Sequence, residues 1–143
     1  VLGYKRLYRW LTLLLVTSSE SGLMPPALQK TAVTRARLME LLAQTVADGE
    51  AADSYFITGM FSLLDAIFDM PMEMALAHLN LPDDVCAALV SRDGRLGSVL
   101  QLVLAIEHEQ ADIATLAFKV GVTAEQLNLI QTEALAWVEE LGL

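Results

Sequence analysis

The hydrophobic positions of the 143-residue chain recur at helical spacing from one end to the other. Leu7, Leu11, Leu14 and Leu15 follow the i, i+4, i+7, i+8 pattern of a helix face that packs on a core. No segment alternates between apolar and polar residues with the period of two that indicates a strand. The pattern therefore predicts an all-α protein of about eight helices, over residues 4–17, 25–48, 53–70, 71–79, 82–91, 96–109, 111–120 and 123–141.

Residues that begin or end helices mark several of these boundaries. Prolines are tolerated in a first turn and glycines favour helix ends, which fits Pro25, Pro26, Pro71, Pro82, Gly49 and Gly121. Asp53 or Ser54 is expected to cap the helix over 53–70, and Asp69 the helix that follows Pro71. Thr123 and Gln126 have the spacing of a capping box, in which each side chain bonds the other residue's backbone.

A core stripe is predicted on the helix over 53–70, at Phe56, Met60, Phe61, Leu64 and Phe68. No linker is long enough to divide the chain, so residues 1–143 are expected to form a single domain. Cys86, the one cysteine, lies in an apolar stretch and is predicted to be a buried structural thiol. A lone cysteine and the lack of a signal peptide favour a cytoplasmic protein.

The charge is acidic overall, −9, and unevenly distributed. Residues 1–37 hold six basic groups and one acid, whereas residues 38–143 hold three basic groups and seventeen acids. An acidic body argues against general nucleic-acid binding, which depends on neutralising phosphates. Every apolar run is also shorter than the roughly 18–20 residues needed to span a membrane.

Few residues offer catalytic or metal-binding chemistry. His78 and His108 fall on different predicted helices, without the i, i+4 spacing of paired ligands. Asp65 and Asp69 are four residues apart and could share a helix face that holds a divalent cation, although a solvent-facing or capping role is favoured. The sequence contains no serine-nucleophile motif of the Gly-x-Ser-x-Gly type and no glycine-rich phosphate loop. No cofactor is therefore expected.

The last two predicted helices have the spacing of a helix-turn-helix. Ala117, Gly121 and Leu127 match its small residue, turn glycine and apolar position. A DNA-reading helix also needs positive groups for phosphate contacts, and no lysine or arginine follows Lys119. An ordinary helical hairpin is therefore favoured over a DNA-binding one.

Several segments together resemble the bacterial HDOD domain, and most closely the HDOD half of proteins that pair it with an EAL domain. They are LGYKRLYRWL from Leu2, RARLMELLA from Arg35, YFITGMFSLLD from Tyr55 and LNLP from Leu79. The resemblance covers about residues 2–140 and implies an all-helical fold similar to that of HD phosphohydrolases.

The same resemblance implies that the metal chemistry of HD enzymes is missing. Gly59 matches the glycine of their Gly-Leu-Leu-His-Asp motif, but Ser62 stands at the metal-binding His and Leu63 at the Asp. An upstream ligand falls near Thr31 and a downstream pair near Ser91-Arg92. Leucine has no lone pair to offer a metal. The interpretation that follows is an HD fold without HD catalysis.

The resemblance implies a non-enzymatic signalling or protein-interaction domain of a bacterial regulator, linked to cyclic di-GMP through a neighbouring EAL domain. The alternatives are a degenerate hydrolase with new ligands, for example Asp65, Asp69, His78 and His108, and a DNA-binding domain. Family members have further helices before Leu2, so a domain truncated at this side is expected.

Uncovered apolar surface on the first predicted helix, at Trp10, Leu13 and Leu14, then favours a homodimer, most simply a twofold one. The opposing hypothesis is a monomer in which this helix turns its apolar sides inward.

Overall fold

The computed structural model describes residues 26–46, 52–77 and 79–142. Within them the chain forms eight helices and no strand: α1 (Pro26–Val46), α2 (Ala52–Phe61), α3 (Leu64–Phe68), α4 (Met72–Leu76), α5 (Asp83–Ser91), α6 (Gly94–Glu107), α7 (Ile113–Val120) and α8 (Ala124–Glu140). The all-α prediction is confirmed. The helix predicted over 4–17, with Trp10, Leu13 and Leu14, lies outside the described residues, as does Gly49.

Helix α1 runs through the centre of the bundle and packs against α2, α6 and α8. Apolar spacing in the sequence predicts an inner face at Ala32, Ala36, Met39, Ala43 and Val46; the first four are buried and Val46 is half-buried. Further apolar side chains are buried on other sides of the same helix, including Val33 and Leu42. A charged group on a helix that is covered on several sides needs a partner inside the protein, and the buried Arg35 of α1 is such a group.

Helices α1 and α2 approach each other closely at Gly59. A Cβ atom at this position would lie 2.7 Å from the Cα atom of Ala36, closer than packed atoms allow. Only glycine therefore permits this crossing. The contact holds the end of α2, and with it Ser62, next to the middle of α1.

The capping box predicted at the start of α8 is confirmed. The Gln126 backbone N–H donates to Thr123 Oγ1 at 3.1 Å, and the Thr123 N–H donates to Gln126 Oε1 at 3.0 Å. Gly121 ends α7 at a φ of 85°, a left-handed conformation that favours glycine. Local sequence signals thus fix the α7–α8 hairpin.

Other predicted boundaries are wrong. The helix expected over 53–70 is interrupted at Ser62 and Leu63 and forms α2 and α3. Asp53 and Ser54 both lie within α2, which begins at Ala52, and neither caps it. Asp69 does not cap α4, whose N-cap is Pro71; it ends α3 in a left-handed conformation with a φ of 52°.

Burial departs from two further predictions. Phe68 was expected in the core stripe but is 55% exposed. Along α3 the side chains change from the buried Leu64 through the half-buried Ile67 to the exposed Phe68, so the end of this helix lies outside the core. Cys86 is half-buried, with its Sγ 3.9 Å from the carbonyl oxygen of Leu81. Among the described helices, none combines the length and apolarity required to cross a membrane.

Candidate functional site

The site begins at the interruption between α2 and α3. The hydroxyl of Ser62 donates a hydrogen bond to the carbonyl oxygen of Gly59 at 2.7 Å, and Ser62 is only 6% exposed. A serine side chain that bonds a nearby carbonyl competes with the regular helical ladder, which accounts for the break at this residue. The break falls at the two positions that the family resemblance aligns with the metal-binding His-Asp pair, Ser62 and Leu63.

Arg35 of α1 reaches this buried serine from the neighbouring helix. Its Nη1 donates to Ser62 Oγ at 3.1 Å. Its Nε and Nη2 donate to the two carboxylate oxygens of Glu107, at the end of α6, at 2.8 Å and 2.6 Å. Arg35 is 8% exposed and the Glu107 side chain 27%. The planar guanidinium suits this two-bond geometry, and it joins α1, α6 and the α2–α3 junction.

These contacts leave Ser62 little reactivity. Its hydroxyl hydrogen goes to Gly59, and its oxygen accepts from a guanidinium that stays protonated and cannot act as a base. A nucleophilic serine needs an adjacent proton acceptor instead. Leu63, at 6% exposure, packs in the apolar core. The arrangement around Ser62 and Leu63 can therefore stabilise the bundle, and it lacks the groups of a nucleophilic centre.

A second arginine, Arg92, lies close enough to Arg35 for their charges to interact. Arg92 ends α5 in a left-handed conformation and donates through Nη1 to the carbonyl oxygens of Ala88 at 3.2 Å and Leu89 at 2.6 Å. Burial lowers the pKa of Arg92, Asp65 opposes that shift, and the positive charge of Arg35 adds to it. The downstream position expected near Ser91-Arg92 therefore contributes a cation to this region.

The alternative ligand set is not assembled in the described structure. Asp65 lies exposed in the first turn of α3 and Asp69 beyond its last residue, so the shared helix face predicted for them does not form. His108 is 58% exposed at the end of α6, with Nε2 3.4 Å from Glu107 Oε2, and His78 lies outside the described residues. Across residues 26–46, 52–77 and 79–142, no three His, Cys, Asp or Glu residues group as metal ligands would.

A cavity of about 180 Å³ adjoins the Arg35–Glu107 ion pair. It lies between α1, α6 and α8, and its wall includes Thr34, Leu38 and Ala134. Gln131 of α8 also lines it and is half-buried. Gln126 of the same helix is exposed, and its side-chain oxygen accepts the capping-box hydrogen bond from the Thr123 N–H.

Sequence reasoning missed the Arg35–Glu107 ion pair. One signal was available, because Arg35 stands among apolar residues on the inner face of α1, where a charge must find a partner. The partner itself could not be read from the sequence, since Glu107 is 72 residues away.

Two bacterial proteins are similar to this chain over most of its length. One is the cyclic di-GMP phosphodiesterase CdgJ of Vibrio cholerae, 30% identical over 130 residues, which cover 90% of this chain and 30% of that protein. Another is the uncharacterized protein YuxH of Bacillus subtilis, 30% identical over 145 residues, which cover 99% of this chain and 34% of that protein. The chain thus spans about a third of the length of these curated relatives. No family model and no solved structure matches it.

Proposed function

We propose that this chain is a non-catalytic HDOD-type domain that acts by protein interaction in a cytoplasmic, cyclic di-GMP-linked bacterial regulator. Support for the link comes from the similarity to CdgJ, a protein named as a cyclic di-GMP phosphodiesterase. The matched region is 30% of CdgJ, so that protein has room for other domains. In this proposal the nucleotide chemistry belongs to a neighbouring EAL domain, which is also the expected protein partner.

The observation that carries the non-catalytic part is the contact between Arg35 and Ser62. The position that aligns with a metal-binding histidine holds a hydroxyl, and this hydroxyl is engaged by a permanently charged guanidinium. A guanidinium offers a metal no lone pair, and the nearby carboxylate that could, Glu107, is already bonded to Arg35 through both of its oxygens. Arg92 adds a second positive charge to the same region. This electrostatic environment disfavours the metal on which HD hydrolysis depends.

Metal analysis of the purified chain is the direct test. We expect no stoichiometric transition metal after dialysis, and no hydrolysis of cyclic di-GMP when Mn²⁺ or Mg²⁺ is added. Asp65→Ala and His108→Ala are the diagnostic variants, because each removes a member of the alternative ligand set, and Asp65→Ala does so without touching the Arg35–Glu107 ion pair. A tightly bound ion that is lost in Asp65→Ala or His108→Ala would contradict the proposal and favour a degenerate hydrolase.

A further inference from the structure

Three large apolar side chains, on α3, on α4 and in the turn between them, are left exposed by the described part of the protein. Phe68 is 55% exposed, Met70 36% and Met74 59%. These three residues, with Asp69 and Glu73 between them, are called the α3–α4 patch. Methionine and aromatic side chains adapt to a partner's shape and recur at binding surfaces. Three of the chain's six methionines fall within residues 70–74.

The α3–α4 patch lies within an unusually one-sided charge distribution. Residues 38–91 contain nine acidic residues and no lysine or arginine. Asp69 and Glu73 are exposed, and none of the ion pairs formed among the described residues involves either of them. An apolar surface bordered by unneutralised carboxylates fits a partner that combines apolar and basic side chains.

Residues 4–17 of the same chain have this chemistry. Leu7, Leu11, Leu14 and Leu15 make one stripe of the helix predicted there. Arg6, Arg9, Trp10 and Leu13, at i, i+3, i+4 and i+7, share a second face. The leucine stripe suits packing within a protomer, which leaves a face of two arginines, a tryptophan and a leucine for another contact. This second face is called the Arg–Trp face.

We propose that the chain forms a twofold dimer in which the Arg–Trp face of each protomer binds the α3–α4 patch of the other. Trp10 and Leu13 would cover Phe68 and Met74, while the two arginines pair with Asp69 and Glu73. A twofold axis repeats the contact and closes the assembly, so no further copies can be added. The proposal rests on the proposed function in one respect, that a non-catalytic domain acts through a binding surface.

Light scattering on the full chain, over a series of micromolar concentrations, measures the association. We expect a dimer whose dissociation constant rises about tenfold or more in Met74→Glu, because an apolar anchor is lost and a charge is placed beneath Trp10 and Leu13, where it loses its contact with water. Leu129→Glu is the matched control, since Leu129 is also exposed, at 72%, but lies on α8. It should leave the mass unchanged. Circular dichroism verifies that both variants remain folded.

A charge exchange separates this arrangement from other dimers. Asp69→Arg with Glu73→Arg should weaken the dimer, and adding Arg6→Glu with Arg9→Glu should restore it. A monomer at every concentration would overturn the proposal. Such a monomer is expected, for example, if residues 4–17 bind within their own protomer. Dimers that withstand Met74→Glu, or that the exchange does not restore, would also overturn it. None of these outcomes bears on metal binding or hydrolysis, so failure here is distinguishable from failure of the proposed function.

Discussion

Arg35 lies midway along the central helix and forms an ion pair with Glu107 while also donating to Ser62. Buried ion pairs contribute modestly to net stability, because desolvation offsets most of their attraction. Removing one partner is different, since the remaining charge is left buried without compensation. The three contacts of Arg35 therefore act mainly by fixing the positions of α1, α6 and the α2–α3 junction relative to one another.

Two variants of this ion pair test that view. Glu107→Leu should lower the free energy of unfolding by roughly 3 kcal/mol, the low end of the range for broken buried pairs, because Glu107 keeps some exposure to water. Adding Arg35→Met should recover much of the loss, since no unpaired charge then remains. Chemical denaturation measures both values. Glu109→Leu, at an exposed position two residues away, should change stability by less than about 0.5 kcal/mol. Equal losses in the single and double variants would show that the ion pair does not constrain the bundle.

At the scale of elements, the junction between α2 and α3 separates a buried segment from an exposed one. Residues 55–61 of α2 are all buried, and Leu64 begins α3 inside the core. Along α3 the chain then leaves the core, so that Phe68 and Met70 become exposed. Periodicity alone predicted one continuous stripe here, because the i, i+4 spacing of Leu64 and Phe68 does not reveal where the core ends.

Alanine substitutions along this segment should separate its two parts. Phe61→Ala and Leu64→Ala should each lower the free energy of unfolding by about 2–5 kcal/mol, the usual cost of truncating a buried Phe or Leu. Phe68→Ala is the matched control and should cost far less, since over half of its surface already faces water. The comparison is made in dilute protein, where association does not contribute. Unchanged melting temperatures for both Phe61→Ala and Leu64→Ala would contradict the packing described.

At the scale of the whole molecule, charge decides which partners are compatible. The net charge of −9 is concentrated after residue 37, and the exposed face of α8 carries Glu125, Glu133, Glu139 and Glu140. The α7–α8 hairpin has the turn glycine of a helix-turn-helix, so its backbone alone would not exclude DNA. Repulsion between these carboxylates and phosphates opposes binding, because phosphate contacts supply most of the affinity.

Electrophoretic mobility measurements with duplex DNA test whether this repulsion prevents binding. The chain should not retard duplex DNA at physiological salt, and lowering the salt should give at most weak retardation that does not depend on sequence. Asn128→Ala, at an exposed position of α8, should leave the result unchanged. Sequence-specific retardation that is lost on Gln126→Ala, Gln131→Ala or Asn128→Ala would show that the acidic hairpin reads DNA.

The sequence by itself determined the features that depend on neighbouring residues. Apolar spacing established the all-α class and the inner face of α1, and local hydrogen-bonding chemistry established the Thr123–Gln126 capping box and the end of α7 at Gly121. The replacement of metal ligands at Ser62 and Leu63 stays a prediction of the family resemblance. Each of these features is set within a few turns of chain, where period and propensity act directly.

Only the tertiary structure decided what depends on groups distant in the chain. It placed the guanidinium of Arg35 against Ser62 and Glu107, broke the helix at Ser62 and left Phe68 exposed. A hydrogen-bonded partner 72 residues away has no local signature, because it is selected by how the helices cross. Close packing at Gly59 determines that crossing, and it is a property of two helices together.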